Sequence, residues 1–185
     1  MGDATELINQ TIIRAAHPAD ARTIARIHVD SWRAVYKGIL PEPYLRRLNH
    51  SYMVQSVKRG LTALENIYLI AEDSRGAPMG YICGGPERSG HPIYQGEVYE
   101  LYVSPAFQRR GTGRQLLSSL ASHLDQINFH SLMVWVLASN PNHRFYEKAG
   151  GIYLGARTIS FAGMKLRTAA YGWIDITLAL ANDTA

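Results

Sequence analysis

Three arginines and two glycines surround one predicted helix start, within VSPAFQRRGTGRQLLSSL. The first N–H groups of a helix have no partner inside the helix, and the helix dipole places partial positive charge there. Glycines leave that backbone bare, and guanidinium groups balance the charge of an anion. The pattern predicts a pyrophosphate-type anion site, with a solvated basic turn as the alternative. The residues are Arg109, Arg110, Gly111, Gly113 and Arg114.

Two common phosphate-binding loops do not match this segment. The sequence lacks a G-x-x-x-x-G-K-[ST] motif, and GTGRQL lacks the third glycine of G-x-G-x-x-G. The segment does fit Q-x-x-G-x-G, with Gln108, Gly111 and Gly113 at the defined positions. Neither of the two familiar loop types therefore explains the predicted anion site.

The elements that position this segment follow from hydrophobic periodicity and turn residues. Strands are predicted over residues 11–16, 66–73, 79–85, 96–103 and 131–138, with two more around Gly163, in residues 152–180. Helices are predicted over residues 17–36, from about Pro43 to Arg59, from Gly113 to Gln126, and after an N-cap at Asn140 with Pro141 in the first turn. This order predicts a mixed α/β or α+β fold, with helices packed on one sheet.

The length and composition are those of a globular protein. The 185 residues are 46% hydrophobic and 18% charged, and single domains of about 100–200 residues are common. We predict a flexible leader over residues 1–10 and one domain over residues 11–185. The net charge of +4 comes without a Lys/Arg run, which disfavours nucleic acid as a partner.

Cysteine usage and hydropathy bear on the compartment. The single cysteine, Cys83, cannot form an internal disulfide and is predicted to be a buried strand residue rather than a nucleophile. No apolar signal segment precedes the first strand, and no run of about 18 apolar residues occurs. We therefore predict a cytoplasmic protein that does not bind a membrane.

Two separated motifs resemble those of the GCN5-related N-acetyltransferases, the GNAT family. ELYVSPAFQRRGTGRQLL resembles the family's strand, loop and helix that hold the pyrophosphate of acetyl-CoA, and NPNHRFYEKAGG resembles its later helix. The resemblance implies an α/β (α+β) fold with a mixed, mostly antiparallel sheet of about seven strands and helices on both faces. It also implies acetyl-CoA as the co-substrate.

The same resemblance implies which residues contact acetyl-CoA. A backbone irregularity would separate the strand 96–103 from its neighbour, so that Leu101 and Val103 bind the pantetheine arm as an added strand would. Asn140 would hydrogen-bond the same arm besides capping its helix. The implied set is Leu101, Tyr102, Val103, Gln108, Arg109, Arg110, Gly111, Thr112, Gly113, Arg114, Asn140 and Tyr146.

Two residues have catalytic roles by this resemblance. Glu100 would take the proton of the attacking amine, directly or through water; a role only in orienting the substrate is an open alternative. Tyr146 would give a proton to the departing thiolate, the alternative being a core aromatic residue. Strand alternation predicts that Val98, Glu100 and Tyr102 share one face, opposite Leu101.

Trp32 and Tyr36 are the candidates for binding the acceptor, because they lie four residues apart on one helix face; core packing is the alternative. His28, on an apolar helix face, is predicted to be a satisfied buried histidine. The seven histidines form no ligand motif, so no metal site is predicted.

Together these residues predict an enzyme that moves an acetyl group from acetyl-CoA to a primary amine of a small molecule or peptide. By the resemblance, the amine attacks directly in a ternary complex. The alternative is a non-catalytic module that binds acyl-CoA for regulation or interaction. The C-terminal strands, MKLRTAAYGWIDITLAL, suggest pairing across a homodimer.

Overall fold

The computed structural model describes residues 11–177, which form one sheet with helices on both faces. The strands are β1 (Ile12–Ala15), β2 (Ile67–Glu72), β3 (Pro78–Pro86), β4 (Gly96–Val103), β5 (Leu132–Leu137), β6 (Ile152–Phe161) and β7 (Met164–Trp173). The helices are α1 (Ala21–Val35), α2 (Glu42–Arg47), α3 (His50–Thr62), α4 (Thr112–Gln126) and α5 (Arg144–Lys148).

The sheet has seven strands in the order β1-β2-β3-β4-β5-β7-β6. Within residues 11–177, only β4 and β5 run parallel, and α4 makes the crossover connection that parallel neighbours require. These observations confirm the predicted α/β (α+β) fold with a mixed, mostly antiparallel sheet. The nearly continuous apolar sequence of β5, LMVWVL, fits its place between β4 and β7.

Amphipathic helices cover the two faces of the sheet. On one face α4 buries Leu116 and Leu120, one helical turn apart, against Val98 and Val134 of the sheet. On the other face α1 and α3 form a second core, in which Ile24 packs with residues of β2 and β3. The strands between these layers hold the residues of the site.

The helix predicted from Pro43 to Arg59 is wrong in its continuity, because the structure has two helices there, α2 and α3. Leu48 and Asn49 have extended ψ angles of 114° and 123°, which end the first helix. The Asn49 side-chain oxygen then accepts a hydrogen bond from the N–H of Ser51 at 2.7 Å. An asparagine N-cap of this kind begins a new helix.

The last predicted strand is shorter than expected, because β7 ends at Trp173. Residues 178–180 of that prediction lie outside the described residues, as does the predicted leader, residues 1–10. Pairing of this segment across a homodimer stays a prediction, but it would not use Met164–Trp173, because β7 is already paired with β5 on one side and β6 on the other. Over residues 11–177, no helix is long and apolar enough to span a membrane.

Candidate active site

A cleft of about 250 Å³ opens where β4 and β5 stop pairing. The two strands pair from Gly96 to Val98 of β4 and not beyond. The walls of the cleft come from α1, β4, β5, the turn after β5, α5 and the β6–β7 pair. The predicted site residues that line it are Trp32, Tyr36, Glu100, Leu101, Tyr102, Asn140 and Tyr146.

A β-bulge in β4 lies where the cleft begins. Cys83 of β3 pairs with Glu100, whereas the next residue, Gly84, pairs with Val98. Tyr99 is therefore an extra residue in β4, opposite no residue of β3. The backbone irregularity that the family resemblance implied for this strand is thus present.

The bulge corrects the predicted alternation of side chains along β4. Val98 packs in the core beneath α4 together with Leu101 and Val103, so its predicted face, shared with Glu100 and Tyr102, is wrong. The extra residue shifts the period-two pattern by one position. Glu100 and Tyr102 face the α1 side instead.

The main chain at Leu101 has no strand partner on the side of β5. Hydrogen-bonding direction alternates along a strand, and Ser104 N–H donates to Met79 O of β3 at 2.8 Å. The N–H and C=O groups of Leu101 and Val103 therefore point away from β3. Gln108 Nε2 donates to Val103 O at 2.9 Å. The main-chain N–H and C=O groups of Leu101 remain open to the cleft.

The start of α4 is bare. Gly111 precedes the helix with φ of 85°, a left-handed conformation that favours glycine. The N–H of Arg114 donates to Gly111 O at 2.9 Å, but the N–H groups of residues 109–113 have no acceptor within the part of the chain that the structure describes. Arg109 and Arg110 are exposed beside these amides. Free amides and guanidinium groups together suit a phosphate anion.

The second half of the same motif makes internal contacts. Thr112 is buried, and Arg114 donates through its guanidinium to Lys148 O, which ties α4 to the end of α5. A Cβ atom on Gly113 would lie 3.4 Å from the Phe145 ring. The outward-facing part of the motif is therefore its first half.

Asn140 begins a turn rather than a helix. α5 starts at Arg144 with His143 in the N-cap position, so the predicted cap at Asn140 is wrong. The Asn140 Oδ1 atom accepts from the Asn142 N–H at 2.8 Å, as in an Asx turn. Its Nδ2 atom donates to the Tyr36 hydroxyl at 3.3 Å, so Asn140 connects this turn to the end of α1.

Tyr146 is buried on α5 and lines the cleft. Its ring stacks on Tyr171 with 6.0 Å between centroids. Burial, followed by the nearby Tyr36, raises the pKa of Tyr146 well above its usual value. The phenol therefore keeps its proton at neutral pH, as a proton donor must.

Glu100 has a side chain that is 30% exposed to the cleft. Its Oε2 atom accepts a hydrogen bond from the Tyr81 hydroxyl at 2.7 Å and lies 3.6 Å from His28 Nδ1. Burial raises the pKa of Glu100, but the interactions with His28 and the hydrogen bond from Tyr81 outweigh burial, and the net pKa is lowered. Glu100 is therefore ionised at neutral pH.

His28 completes this network from α1. Its Nδ1 atom lies 2.8 Å from the Tyr81 hydroxyl, and the single proton of that hydroxyl is donated to Glu100. His28 Nδ1 must therefore carry a proton and donate it to Tyr81. His28 is buried and hydrogen-bonded, as expected. Its contact with Glu100 through Tyr81 was not predicted, although its four-residue spacing from Trp32 indicated that the two side chains share a helix face.

Trp32 and Tyr36 form part of an aromatic wall of the cleft. Trp32 Nε1 donates to the Tyr102 hydroxyl at 2.8 Å. The Trp32 ring lies 4.9 Å from the Tyr36 ring and 6.0 Å from the Phe161 ring. These residues line the cleft and also pack with their neighbours, so core packing is present, and their contact with an acceptor stays a prediction.

No three His, Cys, Asp or Glu side chains of the described residues gather as a metal site. Cys83 is buried, and burial raises the pKa of its thiol to about 12. A thiol in this environment stays protonated and is a poor nucleophile.

The chain belongs to the acetyltransferase (GNAT) family, whose model matches residues 24–151. The Bacillus subtilis (strain 168) protein named uncharacterized N-acetyltransferase YuaI is 35% identical over 165 residues, which are 89% of this chain and 94% of that protein. A protein of Mycobacterium tuberculosis named as a probable N-acetyltransferase is 35% identical over 159 residues, which are 80% and 83% of the two chains. The chain is therefore an acyltransferase of the N-acetyltransferase class, which confirms the predicted family and favours an enzyme over a non-catalytic module.

The fold is also that of solved acetyltransferases. One is the structure of yncA from Salmonella typhimurium, which was solved with its cofactor acetyl-CoA. The match covers 89% of this chain and 93% of the yncA chain, with a TM-score of 0.67 and 23% sequence identity. At this identity the likeness establishes the fold.

Proposed function

We propose that the protein transfers the acetyl group of acetyl-CoA to the primary amine of a small molecule or peptide, by direct attack in a ternary complex. One observation carries the proposal. The unpaired main chain of Leu101, the carboxylate of Glu100 and the phenol of Tyr146 all border one cleft. A cofactor strand, a proton acceptor and a proton donor are the parts that such a transfer needs.

The residues present fit acetyl-CoA at both ends. The bare amides before α4, with Arg109 and Arg110, suit the pyrophosphate. The open N–H and C=O of Leu101 suit the amide groups of the pantetheine arm, as an added strand would pair with them. The yncA structure, solved with acetyl-CoA in a similar fold, supports acetyl-CoA as the co-substrate.

Each catalytic residue would act at a defined atom. Acetyl-CoA supplies a thioester, whose carbonyl carbon bonds to the amine nitrogen as the carbon–sulfur bond breaks. Glu100 Oε2 would hold the free amine by a hydrogen bond and accept the one proton that the nitrogen loses as it attacks. A main-chain N–H near Leu101 would polarise the carbonyl oxygen, and the Tyr146 hydroxyl would donate a proton to the sulfur.

The test is thiol release from acetyl-CoA with a panel of amines, with mass analysis of the products. Turnover with initial-velocity lines that intersect would support direct attack. Parallel lines would contradict it, because they indicate an acetylated enzyme intermediate. Binding of coenzyme A without turnover on any amine would contradict the proposed function.

Replacing Tyr146 with Phe removes the proposed proton donor and keeps the ring. We expect kcat to fall about 10- to 100-fold, the modest range reflecting that a thiolate is already a fair leaving group. The affinity for coenzyme A should be unchanged. Tyr153→Phe, on an exposed tyrosine of β6, is the matched control; equal kcat values for both variants would remove Tyr146 from the mechanism.

Two further proposals concern the setting of the enzyme. We propose a cytoplasmic location, which a single buried cysteine supports. We also propose a homodimer, for which β6, one of the two edge strands of the sheet, offers an edge unpaired among residues 11–177, as β7 does not. Light scattering at micromolar concentration tests the dimer, and a mass of 20.6 kDa, the mass of one chain, would contradict it.

A further inference from the structure

The cleft is lined by two charged side chains of opposite sign. Glu100 of β4 is the negative one and Arg157 of β6 the positive one, and the remaining lining residues are aromatic, aliphatic or uncharged polar. Glu100 is the partly buried charge and Arg157 is exposed at the cleft, so a molecule with one cationic and one anionic group can match both charges at once.

Arg157 is oriented but not neutralised. Its guanidinium carbon lies 3.8 Å from the centroid of the Trp135 ring on β5. No carboxylate among residues 11–177 forms an ion pair with it. Arg88 is a contrast, since it stacks on an aromatic ring in the same way but is paired with Glu97 at 3.0 Å. The donors of Arg157 therefore remain available to a ligand.

Trp135 provides a second and independent observation. Its Nε1–H group is buried and has no hydrogen-bond partner among the described residues. A buried donor without an acceptor costs free energy, and an indole N–H can only donate. The group that would satisfy both Trp135 and the neighbouring Arg157 is an anionic oxygen, such as a carboxylate.

The two charges are close enough for one small molecule. Arg157 starts on β6, but its guanidinium lies over Trp135 on β5, the strand next to β4 in the sheet. Neighbouring strands are about 4.8 Å apart where they pair, and β4 and β5 diverge beyond Val98, so that Glu100 and this guanidinium both line the cleft at more than one strand spacing from each other. With a hydrogen bond of about 3 Å at each end, this span fits an amine and a carboxylate only a few bonds apart.

One wall of the cleft is apolar. Trp32, Ile159, Phe161 and Leu166 line it from α1, β6 and β7. Such a wall favours an acceptor with an apolar side chain over a polar one. A polyamine is disfavoured, because its second ammonium group would meet Arg157.

We propose that the acceptor is a free amino acid with an apolar side chain, its amine at Glu100 and its carboxylate at Arg157 and Trp135. This rests on the proposed function and names its substrate class. The amine nitrogen forms an amide bond with the acetyl carbon as the thioester carbon–sulfur bond breaks. One proton leaves the nitrogen to Glu100, the sulfur gains one from Tyr146, and the products are an N-acetyl amino acid and coenzyme A.

The test compares L-leucine with three amines in the thiol-release assay: leucinamide, isopentylamine and spermidine. Leucinamide has the side chain of leucine but an uncharged amide in place of the carboxylate. Isopentylamine lacks the carboxyl group altogether. With each kcat/KM referred to the concentration of free amine, we expect the value for leucine to exceed that for leucinamide by roughly 10- to 100-fold, the range of a lost charged hydrogen bond. The difference should appear in KM more than in kcat.

Variants assign this preference to Arg157. In Arg157→Gln the ratio of kcat/KM values, leucine over leucinamide, should fall towards one, and Arg157→Lys should restore part of it. Arg167→Gln changes an exposed arginine of β7 outside the cleft lining and is the matched control. Calorimetric binding of N-acetylleucine should weaken in Arg157→Gln while coenzyme A affinity, measured in parallel, reports a folded protein.

The outcomes separate the two proposals. Turnover of isopentylamine or spermidine at least as efficient as that of leucine would overturn the amino-acid acceptor and leave acetyl transfer standing. An unchanged leucine-to-leucinamide ratio in Arg157→Gln would overturn the role of Arg157. Failure of every amine to release thiol, with coenzyme A still bound, would overturn both proposals.

Discussion

Glu100 is not a carboxylate tuned to bind protons at neutral pH. Burial alone would raise its pKa, but His28 and Tyr81 lower it, so that the net pKa lies below the usual value. A base with a low pKa is a weak proton acceptor. Its role in the proposed reaction is therefore to hold the free amine and receive the proton that the nitrogen loses as attack proceeds. The fraction of acceptor present as free amine then limits the rate.

This predicts the pH profile of kcat/KM. The value should rise about tenfold per pH unit and level off at the pKa of the acceptor amine, since Glu100 is ionised throughout. No fall should follow below pH 10 or so, because the raised pKa of Tyr146 keeps its proton in place.

Glu100→Gln tests that profile. We expect kcat/KM to fall about 100-fold at every pH, with the acid limb retained, because that limb belongs to the amine. Glu65→Gln, at an exposed glutamate before β2, is the control. If the acid limb disappears in Glu100→Gln alone, Glu100 itself titrates in this range and the interpretation of its lowered pKa is wrong.

At the scale of elements, the bulge in β4 shows what periodicity cannot locate. Alternation over GEVYELYV assigns every side chain a face, and one extra residue moves Val98 to the opposite face from the predicted one. The nearest local signal is on β3, where a Cβ on Gly84 would lie 2.6 Å from Leu120 Cδ2 and 2.8 Å from Glu97 O. Only glycine leaves room for that close approach.

The role of the turn before α4 in binding coenzyme A can be tested with two glycines of similar backbone conformation. Gly111 and Gly90 have φ of 85° and 73°, and a Cβ on either would meet no atom within 4 Å. Gly111→Ala and Gly90→Ala should each lower the free energy of unfolding by about 1 kcal/mol, the cost of a left-handed alanine. Only Gly111→Ala should also weaken coenzyme A binding, by roughly tenfold, because the added methyl group lies beside the bare amides. Equal affinities in calorimetry would remove that turn from the site.

Over the whole chain, the features that the sequence predicts are those set by residues close together in the chain. The strands, and α4 with its apolar stripe, follow from periods that lie within each segment, and the anion turn follows from residues adjacent in the chain. Arg157 and Trp135 were missed because they meet only through the strand order β5-β7-β6, which no local pattern encodes. The same is true of Tyr81, whose contact with Glu100 depends on the register of β3 against β4.

Ligand binding should be visible in the stability of the whole chain, because a ligand that binds only the folded state adds to the free energy of unfolding. Coenzyme A at 100 times its Kd should add about 2.7 kcal/mol, or roughly 5–10 °C in Tm for a chain of this size. In the double variant Arg110→Glu, Gly111→Asp, both charge changes oppose the pyrophosphate, and the shift should disappear. Arg75→Glu, an exposed arginine in the β2–β3 turn, should keep the full shift. A full shift in the double variant, measured by differential scanning fluorimetry, would mean that the anion binds elsewhere than at the start of α4.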